Sequence, residues 1–446
     1  MAFQAPRGTT DLLPPQAHAL DRIQRIACSV FGLYGYGLIE TPAFEQLDVF
    51  VRGIGQDTDV VGKEMFHVLS PGALAKQAEG APLRPDDVLA LRPEQTASVA
   101  RAAVQHGLVP PDGATVKLWY RGTMFRAERP QKGRLREFHQ VGAECLGAAG
   151  PSADAEAVVM LMHFFEECGI PRGALRLLLN SMGDAACRPA YRSQVRAFIL
   201  DHAADLCPEC VRRADTNPLR AFDCKNEGCR QVLADAPRIT DLLCDDCAAH
   251  YASVKALLDA ARVPYEEDPR LVRGLDYYTR TVFEVQADAG LGSQNALGGG
   301  GRYDGLIQEF GGRPTPGLGF AVGLERVQLV LEATGNAPDA RPVPAAYLAA
   351  VDEDARPVVF ALAQELRAAG LAAELDHQGR SLKSQFKQAD RSGAPVVLVV
   401  GPDERAAGAA RMRHMGTHEE RTVALDAVVD AVKGECTATQ EGDQDR

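Results

Sequence analysis

Residues 116–146 constrain the possible folds of this chain more than any other stretch of its sequence. Two segments in which polar and apolar residues alternate flank a basic loop at residues 129–134, RPQKGR. Proline and glycine in that loop favour a hairpin connection over a helix. The stretch therefore predicts two antiparallel strands that are neighbours in one sheet.

The predicted strand pair carries an unusual set of side chains. Because side chains alternate between the two faces of a strand, polar and aromatic residues gather on one face of each strand: Arg126 and Glu128 on the first, and Arg136, Phe138, Gln140 and Glu144 on the second. A purely structural pair would bury an apolar row there, because buried polar groups need partners. The pattern indicates either a ligand-binding wall or a hairpin with a solvated polar face.

The length and charge of the chain limit its class. A chain of 446 residues is too long for one ordinary core, so two or three domains are expected. No window approaches the roughly 18 apolar residues of a membrane helix, and the first residues, MAFQAPRGTTDLLPP, lack the apolar core of an export signal. A cytoplasmic location without a membrane partner is therefore expected. The net charge of −12 disfavours nonspecific coating of nucleic acid, so local basic clusters would have to meet any RNA.

Polar residues follow a short predicted strand in the first part of the chain. Residues 15–31 have the apolar spacing of a helix that packs against a core or a subunit interface. Residues 89–92 predict a strand, after which Pro93 is expected to open a helix in its first turn. Glu94 and Thr96 then lie at the helix start, where they either cap it or contact a ligand.

Residues 182–262 differ in composition from their surroundings and predict a helical, cysteine-rich insertion. Most of the chain's 11 cysteines lie in or beside it, and without an export signal they are expected to be thiols or metal ligands rather than disulfides. Two C-x-x-C pairs could together close one tetrahedral zinc site, although the gap between them is long. Structural zinc and free thiols remain alternatives for these four residues: Cys207, Cys210, Cys244 and Cys247.

Two segments after the insertion carry further candidates. Residues 271–284 alternate like a strand, with Arg273 at its mouth and Tyr277 and Tyr278 expected to point in opposite directions. Residues 297–305 contain four consecutive glycines, which either form a tight turn or let the backbone approach a ligand. Their spacing fits neither a dinucleotide fingerprint nor a P-loop.

Residues 317–326 predict a strand that leads into a helix. Leu324, Val327 and Leu331 mark the buried face of that helix, and Arg326 lies near its start. If Arg326 is considered by itself, a surface salt bridge would explain its presence.

The last part of the chain predicts a separate small α/β domain. Residues 332–345, rich in Ala, Pro, Asp and Gly, are expected to form a linker. Apolar strands then alternate with helices across residues 346–434, and the polar residues 435–446 are expected to be disordered. The predicted strands are 346–351, 371–375 and 395–400.

One helix of this domain carries a basic stripe. Arg380, Lys383, Lys387 and Arg391 are three or four residues apart and therefore share one helix face. Such a stripe is either a solvated face or a surface that binds an RNA backbone.

These motifs together resemble the histidyl-tRNA synthetase family of class II aminoacyl-tRNA synthetases over nearly the whole chain. Residues 35–42, 120–144 and 317–326 are similar to the three motifs of the class, the first of which forms a dimer. RGLDYY, ending at Tyr278, and ALGGGGRY, ending at Tyr303, resemble two signatures specific to histidine enzymes.

The resemblance implies an α+β fold: a class II synthetase-type antiparallel sheet flanked by helices, with a helical insertion and a C-terminal α/β anticodon-binding domain. The catalytic core would comprise residues 1–181 and 263–331. The implied reaction is ATP-dependent ligation of L-histidine to its tRNA through histidyl-adenylate, with release of pyrophosphate and AMP. A homodimer is also implied.

The resemblance further assigns residues to ATP. Activation brings the histidine carboxylate to the α-phosphate of ATP, and fixed arginines suit this because they bind oxygens bidentately and stay charged. Arg126 would hold the α-phosphate, Arg326 the γ-phosphate, and Arg273 would bridge the carboxylate and the α-phosphate. Phe138 would stack on adenine, with Glu128 near its amino group. Mg²⁺ should accompany ATP as a counter-ion.

Histidine and tRNA contacts are implied in the same way. The imidazole offers one donor and one acceptor, and Glu144 and Tyr278, with Tyr277 beside them, would meet the ring. The residues implied around the α-amino group are Glu94, Thr96 and Gln140. The residues implied to face the tRNA are Arg129, Gln131 and Arg136 at the acceptor end, and Lys383 and Lys387 at the anticodon stem.

A noncatalytic relative offers a competing hypothesis. The regulatory subunit of ATP phosphoribosyltransferase resembles the synthetase catalytic domain and senses histidine. Such a subunit typically lacks the C-terminal domain and the phosphate-binding arginines. This chain has both features, so the sequence favours the ligase.

Overall fold

The computed structural model describes residues 3–55, 58–272, 275–292, 295–337 and 342–444, with side chains described up to residue 436. The chain divides into two compact units, residues 1–340 and 341–446. Within the described ranges, no helix is both long enough and apolar enough to cross a membrane.

The strands are given in chain order. They are β1 (Gly37–Leu38), β2 (Phe44–Gln46), β3 (His67–Leu69), β4 (Val88–Leu91), β5 (Val116–Phe125), β6 (Glu137–Leu146), β7 (Leu175–Ser181), β8 (Glu266–Glu267), β9 (Thr279–Ala287), β10 (Ala296–Arg302), β11 (Gly317–Gly323), β12 (Ala346–Ala350), β13 (Ala373–Leu375), β14 (Val396–Val400), β15 (Ala409–His414) and β16 (Glu420–Ala424).

The α-helices follow the same numbering. They are α1 (Gln16–Leu33), α2 (Leu47–Ile54), α3 (Pro71–Ala78), α4 (Thr96–Gln105), α5 (Pro151–Glu167), α6 (Arg188–Asp201), α7 (Pro208–Thr216), α8 (Glu227–Leu233), α9 (Asp245–Ala260), α10 (Leu306–Glu309), α11 (Leu324–Ala333), α12 (Arg356–Ala368), α13 (Leu382–Ser392), α14 (Pro402–Ala406) and α15 (Val428–Gln444).

An eight-stranded sheet organises the first unit, in the order β1-β5-β6-β11-β10-β9-β7-β8. Its strands are antiparallel to their neighbours except at the two edges, where β1 runs parallel to β5 and β8 parallel to β7. The predicted pair is present as β5 and β6, which are antiparallel and place Leu118 opposite Glu144. A small sheet, β2-β4-β3, lies in the same unit.

Helix α1 packs against the sheet through the apolar face that the sequence indicates. Its buried residues are spaced as one helix face. The ring of Phe31 meets Trp119 of β5 and Phe320 of β11 edge to face, with centroids 5.9 Å and 5.6 Å apart. Aromatic pairs of this geometry stabilise a core beyond their buried area. The helix therefore holds the strands that carry the candidate site.

The glycine run is a central strand rather than a tight turn. Strand β10 pairs with β9 on one side and β11 on the other. A Cβ atom at Gly301 would lie 2.6 Å from the main-chain oxygen of Thr281 and 2.9 Å from the ring of Tyr278. Glycine is disfavoured in strands, but at Gly301 the neighbouring atoms leave no room for a side chain.

The insertion folds as helices, as the sequence predicts, and packs on the sheet. Helices α6 to α8 contribute Val195, Cys210 and Leu233 to a hydrophobic cluster that also contains Leu178 of β7 and Val282 of β9. The insertion is therefore built onto the sheet.

Its last helix, α9, belongs to the main core. Tyr251, Val254 and Leu258 pack there with residues of α1, α5 and the sheet. On the same helix, His250 Nε2 lies 3.4 Å from Asp154 Oδ2 of α5. Asp154 also binds the guanidinium of Arg302, which is fully buried at the end of β10.

The second unit contains a five-stranded sheet in the order β13-β12-β14-β15-β16. Strands β12, β13 and β14 correspond to the three predicted strands and are parallel. The antiparallel strands β15 and β16 were not predicted. Residues 435–444, which were expected to be disordered, extend helix α15 instead.

Candidate active site

A cavity of about 330 Å³ lies where β6, β10 and β11 meet the loop between β5 and β6. It gathers predicted site residues from separate parts of the chain. Nine of them line it: Glu94, Thr96, Arg126, Glu128, Phe138, Gln140, Tyr277, Tyr278 and Arg326. Such convergence of charged, amide and aromatic groups is typical of a ligand site rather than of a solvated hairpin.

Other predicted residues do not line the cavity. Arg273 lies outside the described residues. Arg129 and Gln131 are exposed on the loop. Arg136 points away: its Nε donates to the main-chain oxygen of Glu128 at 3.0 Å. Arg136 precedes β6, so the alternation that was expected to place it beside Phe138 does not apply.

Arg126 and Phe138 form one surface of the cavity. The Arg126 guanidinium carbon lies 5.4 Å from the centroid of the Phe138 ring, within cation–π range. Arg126 Nε donates to the main-chain oxygen of Pro93 at 2.9 Å. The cation is thus fixed beside an aromatic plate, and its remaining donors are available to a ligand.

Arg326 stands in the first turn of α11 and is held by the main chain. Its Nε donates to the oxygen of Gly133 at 3.0 Å and its Nη1 to that of Ala296 at 2.6 Å. Burial lowers the pKa of Arg326, and repulsion from Arg134 and Arg126 lowers it further. Arg326 is therefore buried beside two other cations. Among the described residues, it does not form the surface salt bridge that would account for this residue taken alone.

Arg134 lines the cavity although it was not predicted as a site residue. Gly133 turns the loop with a φ of +70°, and Arg134 follows it into the cavity. Its Nε lies 2.5 Å from Glu128 Oε2, while Arg126 Nη1 lies 4.0 Å from Glu128 Oε1. Glu128 thus offsets part of the positive charge. The Lys-Gly-Arg sequence of the loop was the available signal.

Glu94 both caps a helix and lines the cavity. Helix α4 begins at Thr96 rather than at Pro93, so the predicted start is wrong. The Glu94 carboxylate accepts from the main-chain N–H groups of Thr96 at 2.8 Å and Ala97 at 2.9 Å. These bonds satisfy donors that a helix start leaves unpaired, which explains the later start. Burial raises the pKa of Glu94 despite them.

Glu144 lies behind the cavity rather than in its lining. Its carboxyl group is fully buried, accepts from the Thr96 hydroxyl at 2.7 Å and is hydrogen-bonded to the Tyr303 hydroxyl. Burial raises the pKa of Glu144 to about 8, although both hydrogen bonds oppose the shift. Gly319 pairs with Glu144 in the register of β6 and β11, and a Cβ there would collide with the carboxyl group. Thr96 connects Glu144 to the cavity.

Tyr277 and Tyr278 lie together, which corrects the prediction that they point in opposite directions. Their ring centroids are 4.6 Å apart, and both line the cavity. Strand β9 begins only at Thr279, so the alternation assumed for both residues does not hold. Tyr303 meets Tyr277 edge to face at 5.7 Å.

Gln140 offers an unused acceptor. Its Oε1 is buried at the cavity and has no hydrogen-bond partner among the described residues. A buried unpaired amide oxygen costs free energy unless a ligand or water meets it. This supports a ligand with a donor near Gln140.

The basic stripe lies on α13 of the second unit. Arg380 is bound to Asp376, with Nη1 3.1 Å from Oδ1. Lys383 and Lys387 are exposed, and neither forms an ion pair within the described residues. Buried Gln385, on the opposite side of the helix, bonds to both main-chain groups of Ala350, at 2.8 Å and 3.1 Å. The exposed lysines are thus fixed on a docked helix.

The two cysteine pairs do not come together in one tetrahedral site, which was one of the alternatives that their spacing left open. Cys207 and Cys210 lie with Cys224 and Cys229, whereas Cys244 and Cys247 lie with Asp184 and Cys187. The two C-x-x-C pairs begin different helices, α7 and α9, which pack in different hydrophobic clusters. Each C-x-x-C pair therefore lies beside two candidate ligands of its own.

Comparison with known proteins places this architecture in one family. A family model described as histidyl-tRNA synthetase matches residues 8–327, and one described as an anticodon binding domain matches residues 345–435. A histidine–tRNA ligase of Anaeromyxobacter dehalogenans (strain 2CP-1) is 45% identical over 435 residues, which cover 97% of this chain and 100% of that protein.

Solved structures of similar proteins have the same fold as this chain. The crystal structure of apo histidyl-tRNA synthetase of S. aureus superposes with a TM-score of 0.79 at 34% identity and covers 97% of this chain and 100% of that one. A Bacillus halodurans structure described as an ATP phosphoribosyltransferase regulatory subunit/histidyl-tRNA synthetase is 20% identical, with a TM-score of 0.62 and coverage of 90% and 99%. At that identity it shows the fold alone.

Proposed function

We propose that this chain, which belongs to the histidyl-tRNA synthetase family, ligates L-histidine to its tRNA. The reaction uses ATP, passes through histidyl-adenylate and releases pyrophosphate and AMP. It takes place in the cytoplasm, where tRNA is charged. Histidine, ATP and histidine tRNA are the substrates.

One observation carries the proposal: Arg126, Arg134 and Arg326 meet at one cavity. The pKa of Arg326 is lowered by burial and then by the other two arginines. Glu128 offsets part of this positive charge, and a bound anion would offset the rest. A polyphosphate beside a carboxylate supplies the required negative charge.

The first step joins histidine to AMP. A histidine carboxylate oxygen attacks the α-phosphorus of ATP, and the bond from that phosphorus to pyrophosphate breaks. Arg126 binds the α-phosphate and Arg326 the γ-phosphate, with Arg273 bridging the two reacting groups. These fixed cations offset charge that builds up in the transition state.

Adenine occupies the surface beside Arg126. Phe138 stacks on the base, and Glu128, held by Arg134, lies near its amino group. When bound, Mg²⁺ would accompany ATP as a counter-ion to its phosphates. Glu128 and Glu325 line the cavity, but Glu325 already accepts from His139 at 2.8 Å. Phosphate and water oxygens therefore bind the metal in this proposal.

Histidine occupies the wall formed by Tyr277, Tyr278 and Gln140. Tyr278 meets the imidazole, with Glu144 acting behind Thr96, and the unpartnered Gln140 oxygen accepts from the α-ammonium. Pairing both ring nitrogens rejects a non-hydrogen-bonding analogue by about 10⁴–10⁵-fold. Glu94 supplies negative charge near the ammonium.

In the second step, the terminal ribose hydroxyl of the tRNA attacks the activated carboxyl carbon, and AMP leaves. The exposed loop residues Arg129 and Gln131, with Arg136 at the loop base, face the acceptor end. Lys383 and Lys387 contact the backbone of the anticodon stem.

The organisation of the chain belongs to the same proposal. Residues 1–181 and 263–331 form the catalytic core, 182–262 the insertion, 332–345 the linker and 346–434 the anticodon-binding domain. Two copies associate through residues 35–42. The short strand β1 is the exposed edge of the large sheet, which suits this role.

Histidine-dependent exchange of labelled pyrophosphate into ATP tests the proposal. The purified full chain should catalyse exchange with histidine and not with other amino acids. Histidine binding without exchange would instead favour the noncatalytic regulatory subunit. The presence of the arginine cluster and of the second unit argues against that subunit in this chain.

A further inference from the structure

Both C-x-x-C pairs stand at the start of a helix in the same manner. Cys207 and Cys244 are the residues that precede α7 and α9, and Cys210 and Cys247 lie in the first turns. Helix starts favour negative charge, which stabilises thiolates. The chain thus presents the same half-site twice.

A complementary half-site faces each pair. Cys224 follows a short 3₁₀ helix and Cys229 lies in the first turn of α8. With Cys207 and Cys210 they form a cluster, here called the four-thiol cluster, whose sulfur atoms all lie within 4.8 Å of one another. The Cys207 and Cys224 sulfurs are 3.9 Å apart.

The second cluster combines one carboxylate with three thiols. Asp184, Cys187, Cys244 and Cys247, here called the mixed cluster, also place their ligand atoms within 4.8 Å of one another. The sulfurs of Cys187 and Cys247 are 3.9 Å apart, and Asp184 Oδ1 lies 3.6 Å from Cys187 Sγ. Asp184 Oδ2 lies 3.3 Å from Arg280 Nη2, a partner that would orient the carboxylate.

These distances match zinc rather than disulfides. A tetrahedral zinc with bonds of about 2.3 Å to sulfur and about 2.0 Å to oxygen sets its sulfurs about 3.8 Å apart and a sulfur and an oxygen about 3.5 Å apart. A disulfide would require about 2.05 Å between sulfurs. All of these cysteines are free thiols.

We propose that the chain binds two zinc ions, one in the four-thiol cluster and one in the mixed cluster. Each site joins segments that are separate along the chain: α7, α8 and the 3₁₀ turn in the first, and the β7–α6 connection and the start of α9 in the second. Both are closed four-ligand sites, which is typical of structural zinc.

The mixed cluster also supports the histidine pocket. Asp184 binds Arg280, whose main-chain N–H donates to the oxygen of Gly183 at 2.7 Å. Arg188, which follows Cys187, donates to the main-chain oxygen of Tyr278. Metal in the mixed cluster therefore fixes the start of β9, whereas the four-thiol cluster joins α7, α8 and the 3₁₀ turn between them. The link between the mixed cluster and the histidine pocket rests on the proposed function. The proposal that the chain binds two zinc ions does not depend on that function.

Metal analysis of the full chain, purified without chelator, tests the sites directly. Wild-type protein should contain two zinc ions per chain. Cys210→Ser and Cys247→Ser should each lose one, and Cys168→Ser, a buried cysteine outside both clusters, should lose none. No stoichiometric zinc in the wild type overturns the proposal. If the wild type contains only one zinc ion and both variants lack it, the proposal is also overturned, because the two pairs would then share one site.

Titration of intact wild-type protein with a mercurial needs no folded variant. Zinc followed with a metallochromic dye should be released in two equivalents as the cluster thiols react. Reaction of the thiols without release of zinc contradicts both sites.

Steady-state kinetics then test whether the mixed cluster, and not the four-thiol cluster, supports Tyr278. Cys247→Ser should raise the KM for histidine more than the KM for ATP, and Cys210→Ser should leave that ratio unchanged. Equal effects of the two variants would remove the link to Tyr278 while leaving the zinc sites intact.

Discussion

Arg326 donates a hydrogen bond of 3.0 Å to the main-chain oxygen of Gly133. The contact ties the first turn of α11 to the tip of the loop between β5 and β6. A Cβ at Gly133 would lie 3.3 Å from Leu329 and 3.6 Å from Arg326, so the loop rests on the helix. The cation that we assign to the γ-phosphate thus also positions the loop that presents Arg134.

Replacing Arg326 by glutamine separates its charge from its hydrogen bonds. Arg326→Gln keeps a donor at the position of Nε for the main-chain oxygen of Gly133 but loses the cation, so exchange of pyrophosphate should fall by roughly 10²–10³-fold. Thermal stability should stay the same or rise, because repulsion by Arg134 and Arg126 is relieved. Arg176→Ala, which removes an exposed cation paired with Glu266, is the control and should keep full exchange. Equal exchange in the two variants would contradict the role of Arg326.

Arg273 gives the sharpest kinetic test of the reaction. Arg273→Ala should abolish histidine-dependent exchange while the circular dichroism spectrum and melting temperature remain those of the wild type. The reason is that this cation is assigned to both reacting groups, whereas Arg326 is assigned only to the γ-phosphate of the leaving pyrophosphate. Near-normal exchange would refute the assignment.

Glu144 should make stability depend on pH. Its pKa is raised by burial to about 8 from 4.5. Between these values the folded chain holds a proton that the unfolded chain releases, so the free energy of unfolding falls as pH rises, by up to about 1.4 kcal/mol per pH unit. Glu144→Gln removes this contribution, and urea denaturation from pH 5 to 8 should give a shallower slope. Parallel curves for the two proteins would show that Glu144 does not titrate in this range.

Gly319 should tolerate no side chain. A Cβ there would collide with the Glu144 carboxyl group and lie 2.5 Å from the main-chain oxygen of Ala143. Gly319→Ala should therefore lower the free energy of unfolding by about 1–3 kcal/mol. Gly173→Ala is the matched control, because no atom of the described residues lies within 4 Å of a Cβ there. The two variants are compared by urea denaturation, and equal stabilities would disprove the tight packing around Glu144.

Lys383 and Lys387 should act on tRNA alone. The double change to alanine should raise the KM for tRNA and lower the slope of log affinity against log salt by about one for each phosphate that is no longer neutralised. Pyrophosphate exchange should not change. Arg421→Ala, an exposed cation on β16 paired with Glu435, should leave the KM for tRNA as in the wild type. An unchanged KM in the double variant would remove the stripe from the interface.

Local patterns in the sequence predicted the elements whose structure does not depend on packing against the rest of the fold. The alternation in residues 116–146 led to β5 and β6, and the apolar spacing after Pro15 led to α1. Comparison confirms the predicted family and the α+β class II fold with its anticodon-binding domain. The predicted activity is that of the curated relatives.

Features set by tertiary packing were not predictable from local patterns. Glycine disfavours strands, so nothing local indicated that residues 296–302 form the middle of a sheet. Tyr277 and Tyr278 were assigned to a strand that starts at Thr279. Arg134 enters the cavity because Gly133 adopts a positive φ, which a residue count along the loop does not show.

The pairing of the cysteines required the fold itself. Spacing indicated Cys207 and Cys210 as a pair of candidate metal ligands but not which residues they face. The structure supplies Cys224 and Cys229. Connectivity of this kind is undetermined in a sequence, because several pairings satisfy the same spacing.

The approach of His250 to Asp154, at 3.4 Å, ties the inserted segment to the core of the first unit. Asp154 is the counter-ion of the fully buried Arg302, and α9 fills core space beside α5 with its aromatic and aliphatic side chains. Excising residues 182–262 would open that space to water and expose one side of a buried ion pair. The segment therefore contributes residues to the core itself and is not a detachable module.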